Sequence, residues 1–300
     1  MKKTLVWMLS LMLVLCSAAF AEETAVTPDE NTFFAEDNWF PTGKLEMNTA
    51  TEYDLDGDGT METVSWKEEA VDEYDNEVVL TVEKDGAKAE YRSGMIFMEG
   101  VAVYDLDGDG TFEIFITGDE MSSDYFTVAL HYADGQLTKL DFANVDRGDE
   151  NTGYHDYGYG YITGLGENAL YLNGSQDVLG TYFGWRAFTL KDGRFETCDD
   201  GLWHFDRDLE DADTWDWGCL TVKQEAKATF QNEGKESEGA LQVGDKLVIT
   251  ASDKATRAYF ETQDGRQGYL DIAPNAEQGW GWLVNGVSEN DVFEIVPYAD

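Results

Sequence analysis

Along most of this chain the apolar positions come in short runs separated by Asp- and Gly-containing turns, the spacing of strands rather than of helices. In Phe112-Glu113-Ile114-Phe115-Ile116 the alternate residues Phe112, Ile114 and Ile116 share one face. Phe115 makes the other face apolar too, as expected of a sheet covered on both sides. Strands are predicted at Val78 to Glu83, Tyr125 to Tyr132 and Tyr182 to Leu190. Each leads into an Asp-Gly hairpin signal: Lys84-Asp85-Gly86, Ala133-Asp134-Gly135 and Lys191-Asp192-Gly193. Three small antiparallel sheets follow from this pattern. From Leu220 it changes to LTVKQEAKATF, GALQVGDKLVITASD and RAYFETQDGRQGYLDI, short strands with Gly-Asp and Asp-Gly turns that predict a compact barrel. With 30 Gly, only 4 Pro and 13% aromatic residues, the expectation is an all-β protein. A repeat domain is expected over 45–219 and a smaller domain over 220–300.

The beginning of the chain reads as an address. Lys2 and Lys3 precede the apolar run Leu5 to Leu15, and Ala19-Phe20-Ala21 offers a small-x-small cleavage site. Residues 1–21 are thus expected to be a signal peptide, residues 22–44 an N-terminal segment, and the product secreted. Cys16 follows Leu15, where a lipid-attachment signal would carry a small residue. No later run approaches the ~20 apolar residues of a spanning helix.

Charge narrows the partners. Against 61 Asp and Glu stand 20 Lys and Arg, a formal net charge of −41. No basic stripe is present to cover nucleic acid phosphates or an anionic bilayer. His131, His155 and His204 are scattered, and neither zinc-type spacings nor the G-x-S-x-G elbow occurs. Beyond the leader, Cys198 and Cys219 form an even pair that an oxidising compartment permits to bond; two buried thiols are the alternative.

An internal repeat carries the chemistry. TEYDLDGDGTMETVSW (51–66) and AVYDLDGDGTFEIFIT (102–117) share DLDGDGT at a spacing of 51 residues. A further 51 residues lead to Asp156, in HDYGYGYITGLGENALYL, where Gly158 and Gly160 replace the other aspartates. This reads as a third unit that has lost its ligands. In the first copy Asp54, Asp56 and Asp58 alternate, Gly59 permits the sharp turn, Glu62 returns a fourth carboxylate, and the Thr60 carbonyl adds a fifth oxygen. Asp105, Asp107, Asp109, the Thr111 carbonyl and Glu113 repeat the set. Hard oxygen donors without His or Cys favour Ca²⁺, and about two ions are expected.

An EF-hand would need Glu at the twelfth position and flanking helices, but Ser65 and Ile116 stand there within β-rich flanks. DLDGDGTME and DLDGDGTFE instead resemble the D-x-D-x-D-G-x-x-D loop of integrin-α-like FG-GAP and VCBS repeats, with Glu62 and Glu113 in place of the final Asp. The resemblance spans about residues 45–200 and implies propeller-like blades, calcium and an extracellular setting more firmly than any activity. Three units are too few for an ordinary propeller of four to eight blades, so either residues 30–50 and 200–220 build a fourth or the array stays open. The C-terminal segments Gly244 to Ile249, Ala258 to Glu261 and Asp264 to Tyr269 resemble bacterial Src-homology-3-type barrels, which bind cell-wall peptide or pack on a neighbour.

Trp215 and Trp217 in an acidic linker, and Trp280 and Trp282 in a Gly-rich turn, are candidate stacking faces for a glycan; the alternative is packing. The functional expectation is a non-enzymatic extracellular or cell-surface binding module, with a cell-wall or glycan ligand or a surface protein as partner. A secreted polysaccharide or cell-wall hydrolase with structural calcium is the alternative.

Overall fold

The computed structural model describes residues 33–34, 43–71, 76–93, 97–119, 125–142, 158–166, 168–198, 201–205, 209–216, 218–232 and 234–298. The expected signal peptide, His155, Asp156 and Trp217 lie outside them. The fold is all-β and almost wholly antiparallel. Two short strands, β1 (Phe33–Phe34) and β2 (Lys44–Leu45), precede three four-stranded meanders. The first is β3 (Thr51–Tyr53), β4 (Glu62–Ala70), β5 (Asn76–Lys84) and β6 (Ala87–Ser93). The second is β7 (Phe97–Tyr104), β8 (Glu113–Asp119), β9 (Tyr125–Ala133) and β10 (Gln136–Lys139). After β11 (Asp141–Phe142) and β12 (Gly158–Tyr159) comes the third: β13 (Tyr161–Gly166), β14 (Ala169–Asp177), β15 (Thr181–Lys191) and β16 (Arg194–Thr197).

The last hairpin of every meander turns through an Asp-Gly pair with both residues at positive φ: Asp85 and Gly86 (52° and 81°), Asp134 and Gly135 (51° and 74°), Asp192 and Gly193 (53° and 75°). This is type I′ geometry, whose twist matches that of the flanking strands. The middle sheet is covered on both faces, as the run 112–116 predicts. Val101, Ile114, Ile116, Val128 and Leu130 pack with Leu55, Val64 and Leu80 of the first sheet. Ala102, Phe115 and Ala129 pack the other way, against Ile162, Leu170, Phe188 and Phe195 of the third.

Among the described residues the sheets form no closed ring and no fourth blade. The segments expected to supply one join existing edges instead: β1 pairs with β13, β2 with β7, and β17 (Trp203–Phe205) with β15. The Asp156 alignment is also corrected. In each of the first two meanders the Asp loop joins strands one and two, with Tyr53 opposite Glu62 and Tyr104 opposite Glu113. The matching connection in the third is the tight hairpin between Gly166 and Ala169, not the region of Asp156. Counting 51 residues fails because strands and loops differ in length between units.

After the short α1 (Ala212–Asp216) come β18 (Leu220–Thr221), β19 (Ala226–Asn232), β20 (Lys235–Leu241), β21 (Lys246–Ser252), β22 (Arg257–Thr262), β23 (Gln267–Pro274), β24 (Trp282–Val284), β25 (Val287–Ser288) and α2 (Glu289–Val292). Pairing does not stop at the expected 219/220 boundary. Strand β17 bonds β15 on one side and β21 on the other, so the third meander and the C-terminal strands form one continuous sheet. Val178, Leu179, Tyr182, Trp203 and Phe205 sit in the same core as Leu247, Ile249, Phe260 and Phe293. At Gly184 a Cβ would stand 2.4 Å from the Phe205 ring, so the bare backbone there is what lets β17 close in. No described helix is long and apolar enough to cross a membrane.

Candidate metal centre in the paired Asp loops

Both Asp loops fold on themselves by the same bonds. Gly59 N–H donates to Asp54 Oδ2 (2.9 Å), Asp58 N–H to Asp56 Oδ1 (3.3 Å) and Thr60 N–H to Asp58 Oδ1 (2.8 Å). In the second copy Gly110 N–H donates to Asp105 Oδ2 (3.1 Å), Asp109 N–H to Asp107 Oδ1 (3.2 Å) and Thr111 N–H to Asp109 Oδ1 (2.7 Å). These bonds gather the aspartates. One oxygen from each of Asp54, Asp56 and Asp58 lies within 4.8 Å of the other two, and Asp105, Asp107 and Asp109 do the same. Thr60 and Thr111, whose carbonyls are the expected further ligands, follow directly.

Glu62 and Glu113 open the second strand of each meander and lie beneath the loops, buried at 0% and 2% exposure. Each accepts one backbone bond, from Leu55 N–H to Glu62 Oε2 (2.7 Å) and from Leu106 N–H to Glu113 Oε2 (3.1 Å). The carbonyls of the same leucines reach the following unit: Phe112 N–H donates to Leu55 O (2.9 Å) and Asn168 N–H to Leu106 O (2.8 Å). Phe112 precedes Glu113 just as Asn168 precedes Ala169, which independently fixes the third unit's register. The two loops also touch. At Gly57, with φ +68°, a Cβ would lie 3.2 Å from the Gly110 carbonyl oxygen.

Their electrostatics differ. In the first loop the Lys84 ammonium stands 2.9 Å from Asp56 Oδ2 and 2.8 Å from Asp58 Oδ2. It also meets Glu62 Oε1 at 2.6 Å, an ion pair without hydrogen-bond alignment. Burial alone would pull this lysine down, but the carboxylates of Asp58, Glu62 and Asp56 outweigh it and hold it above the usual lysine range. Lys84 in turn holds Asp58 below the usual carboxylate range, helped by Thr60. In the second loop no ion pair reaches Asp105, Asp107, Asp109 or Glu113 among the described residues. Burial pushes Glu113 up to about 7 against the pull of the Leu106 N–H, and repulsion from Asp107 and Asp109 adds to the rise. Asp109 is lowered by the Thr111 hydroxyl and backbone N–H. All eight carboxylates and both threonine carbonyls are hard oxygen donors, and in each loop the three aspartates stand close enough together to hold a metal ion. The first fits in donor type but holds an ammonium among its oxygens.

The other candidates are dispersed. Trp282 is buried, its indole N–H donating to Asp177 O (3.0 Å) across the junction of the third meander and the C-terminal strands. Trp280 is 61% exposed and meets Tyr298 edge to face. Trp215 is half-buried and donates to Leu209 O (2.9 Å). Trp280 and Trp282 therefore offer one exposed face rather than a paired platform. A groove of about 780 Å³ lies elsewhere, lined by Lys227, Thr229, Glu238, Tyr269, Asp271 and Asn285 among others, and neither of these two tryptophans lines it. The disulfide is not formed. Cys198 is buried, its Sγ 2.6 Å from Thr189 Oγ1, and Cys219 is half-buried and donates to Trp215 O.

Lys84 is the site residue that reading the sequence missed. In the sequence it stands only as part of a turn signal, yet the hairpin register supplies its place: with Thr63 opposite Glu83, the next pair outward sets Lys84 against Glu62. Compared with family models, with curated proteins and with solved structures, the chain matches none.

Proposed function

We propose that this chain is a secreted calcium-binding β-repeat protein that works as a non-enzymatic extracellular or cell-surface binding module. The observation that carries the reading is the pair of Asp loops. Two separate segments adopt the same internal hydrogen bonding, gather three aspartates within 4.8 Å, and set a buried glutamate beneath them. Burying that fourth carboxylate costs desolvation, which a cation held beside it offsets. A divalent cation on the second loop removes the repulsion among its four carboxylates and fixes the loop against its neighbours. The chain's own residues do the rest: the leucine N–H groups orient the glutamates, and the glycines let the loops turn. As a module, the protein offers the 780 Å³ groove and the exposed Trp280 as surfaces for a partner.

The test is thermal unfolding with and without excess chelator, combined with calcium titration calorimetry. An ion bound by the folded state alone adds RT ln(1 + [L]/Kd), about 2.7 kcal/mol at a hundredfold excess over Kd. Chelation lowers Tm on this reading; a melting curve indifferent to chelator, with no heat of calcium binding, removes it.

A further inference from the structure

We propose that the two Asp loops are unequal: Lys84 is the resident cation of the first, and the second alone takes a divalent ion at concentrations that leave the first untouched. This rests on the calcium reading above and changes its expected count from two to one.

The asymmetry arises in the strand register. The residue directly across the sheet from the loop glutamate shares its face. In the first meander that residue is Lys84, reached by extending the pairing of Thr63 with Glu83 by one step. In the second it is His131, paired with Glu113. The lysine stem is long enough to carry its ammonium into the loop, where three carboxylates surround it at 2.6 to 2.9 Å. Its side chain is only 17% exposed, and Glu62 beneath it is wholly buried. For calcium to enter, with its oxygens at ~2.3–2.6 Å, the ammonium must be expelled. Expulsion breaks three ion pairs, one of them to a fully buried carboxylate, and leaves the positive charge nearby to oppose the metal. The second loop carries a weaker obstacle: no lysine or arginine among the described residues pairs with its four acids, and the imidazole of His131 acts on Asp109 only through its charge, without an ion pair. The first loop thus already holds a cation against three of its four acids, whereas the second depends on a metal for one.

The experiment counts bound calcium by equilibrium dialysis and calorimetry on the full chain and three variants: Lys84→Met, which keeps the length of the stem without its charge, Asp58→Asn and Asp109→Asn. The expected counts are one for the unaltered chain, one for Asp58→Asn, none for Asp109→Asn and two for Lys84→Met. Should Lys84→Met fold only when calcium is supplied, the ion has replaced the ammonium, which supports the proposal. Should it not fold at all, Asp58→Asn and Asp109→Asn still decide it, because only the second is expected to change the count. Two sites of similar affinity in the unaltered chain, one lost in each aspartate variant, overturn the inequality while leaving the calcium reading standing. No calcium in either the unaltered chain or Lys84→Met overturns both.

Discussion

Burying a carboxylate is costly unless hydrogen bonds or a positive charge meet it, and three glutamates of this chain meet that demand differently. Glu62 faces an ammonium, Glu113 accepts a backbone N–H, and Glu289 receives the Tyr298 hydroxyl on both oxygens at 3.0 and 2.9 Å. Burial raises Glu289 above its ordinary 4.5, against the smaller pull of Tyr298. A raised carboxylate binds its proton more tightly in the folded state. Its contribution to stability is therefore greatest below pH 4.5, falls as pH climbs toward the raised native value, and is level beyond it. Glu289→Gln is expected to raise Tm at neutral pH relative to the unaltered chain and to gain nothing below pH 4; a difference in Tm that does not vary with pH contradicts this. The tryptophans separate as sharply. Trp282→Phe leaves Asp177 O without its donor and costs about 1 kcal/mol beyond any loss of packing, whereas Trp280→Ala leaves the melting temperature in place. Equal losses in thermal melts of the two variants would show that exposure does not divide them. Sequence alone could not divide them either, because both lie in the same Gly-rich turn and only the fold decides which ring is covered.

At the scale of elements, turn chemistry was legible and partnership was not. Asp85-Gly86, Asp134-Gly135 and Asp192-Gly193 announce their hairpins because the positive φ they need is a local property. The two-residue β1 and β2 carry no periodicity, and their partners lie far along the chain on β13 and β7, so nothing local foretells them. The Asp loops were legible as ligand sets. Their linkage to one another was not, since it runs through main-chain carbonyls that no side chain advertises. That linkage has a measurable sign. The amides of Phe112 and Asn168 sit in connections yet donate to Leu55 O and Leu106 O, so hydrogen exchange at both is expected to be slow compared with other connection amides. Exchange at the rate of an exposed loop at both positions would mean that the units are not tied there.

At the scale of the molecule, the composition pattern places a domain boundary near residue 219, but the hydrogen bonding does not. The shift in pattern is real, and the C-terminal strands do begin at Leu220. What the pattern does not carry is β17, a three-residue strand that joins both sides and brings Trp203 and Phe205 into the C-terminal core. Scanning calorimetry is therefore expected to show one transition for the third meander and the C-terminal strands together. A chain covering 220–298 alone is expected to melt at lower temperature, since Val178, Leu179 and Tyr182 no longer cover its core. A separate transition that the isolated segment reproduces at the same temperature would establish two independent units.

The carbonyls of Leu55 and Leu106, each taken up by the unit that follows, give the array a direction. Met61, which stands where Phe112 and Asn168 stand in the later units, is 58% exposed. At the other end, the third unit has contracted its loop to a hairpin and passed its edge to the C-terminal strands. Among the described residues the row of meanders therefore has one side unmatched at the first unit and one side closed at the third. A duplicated unit finds both a donor and an acceptor when it is inserted ahead of the third blade, and finds neither behind it. An added repeat therefore fits ahead of the third meander, with the C-terminal strands left as a fixed base.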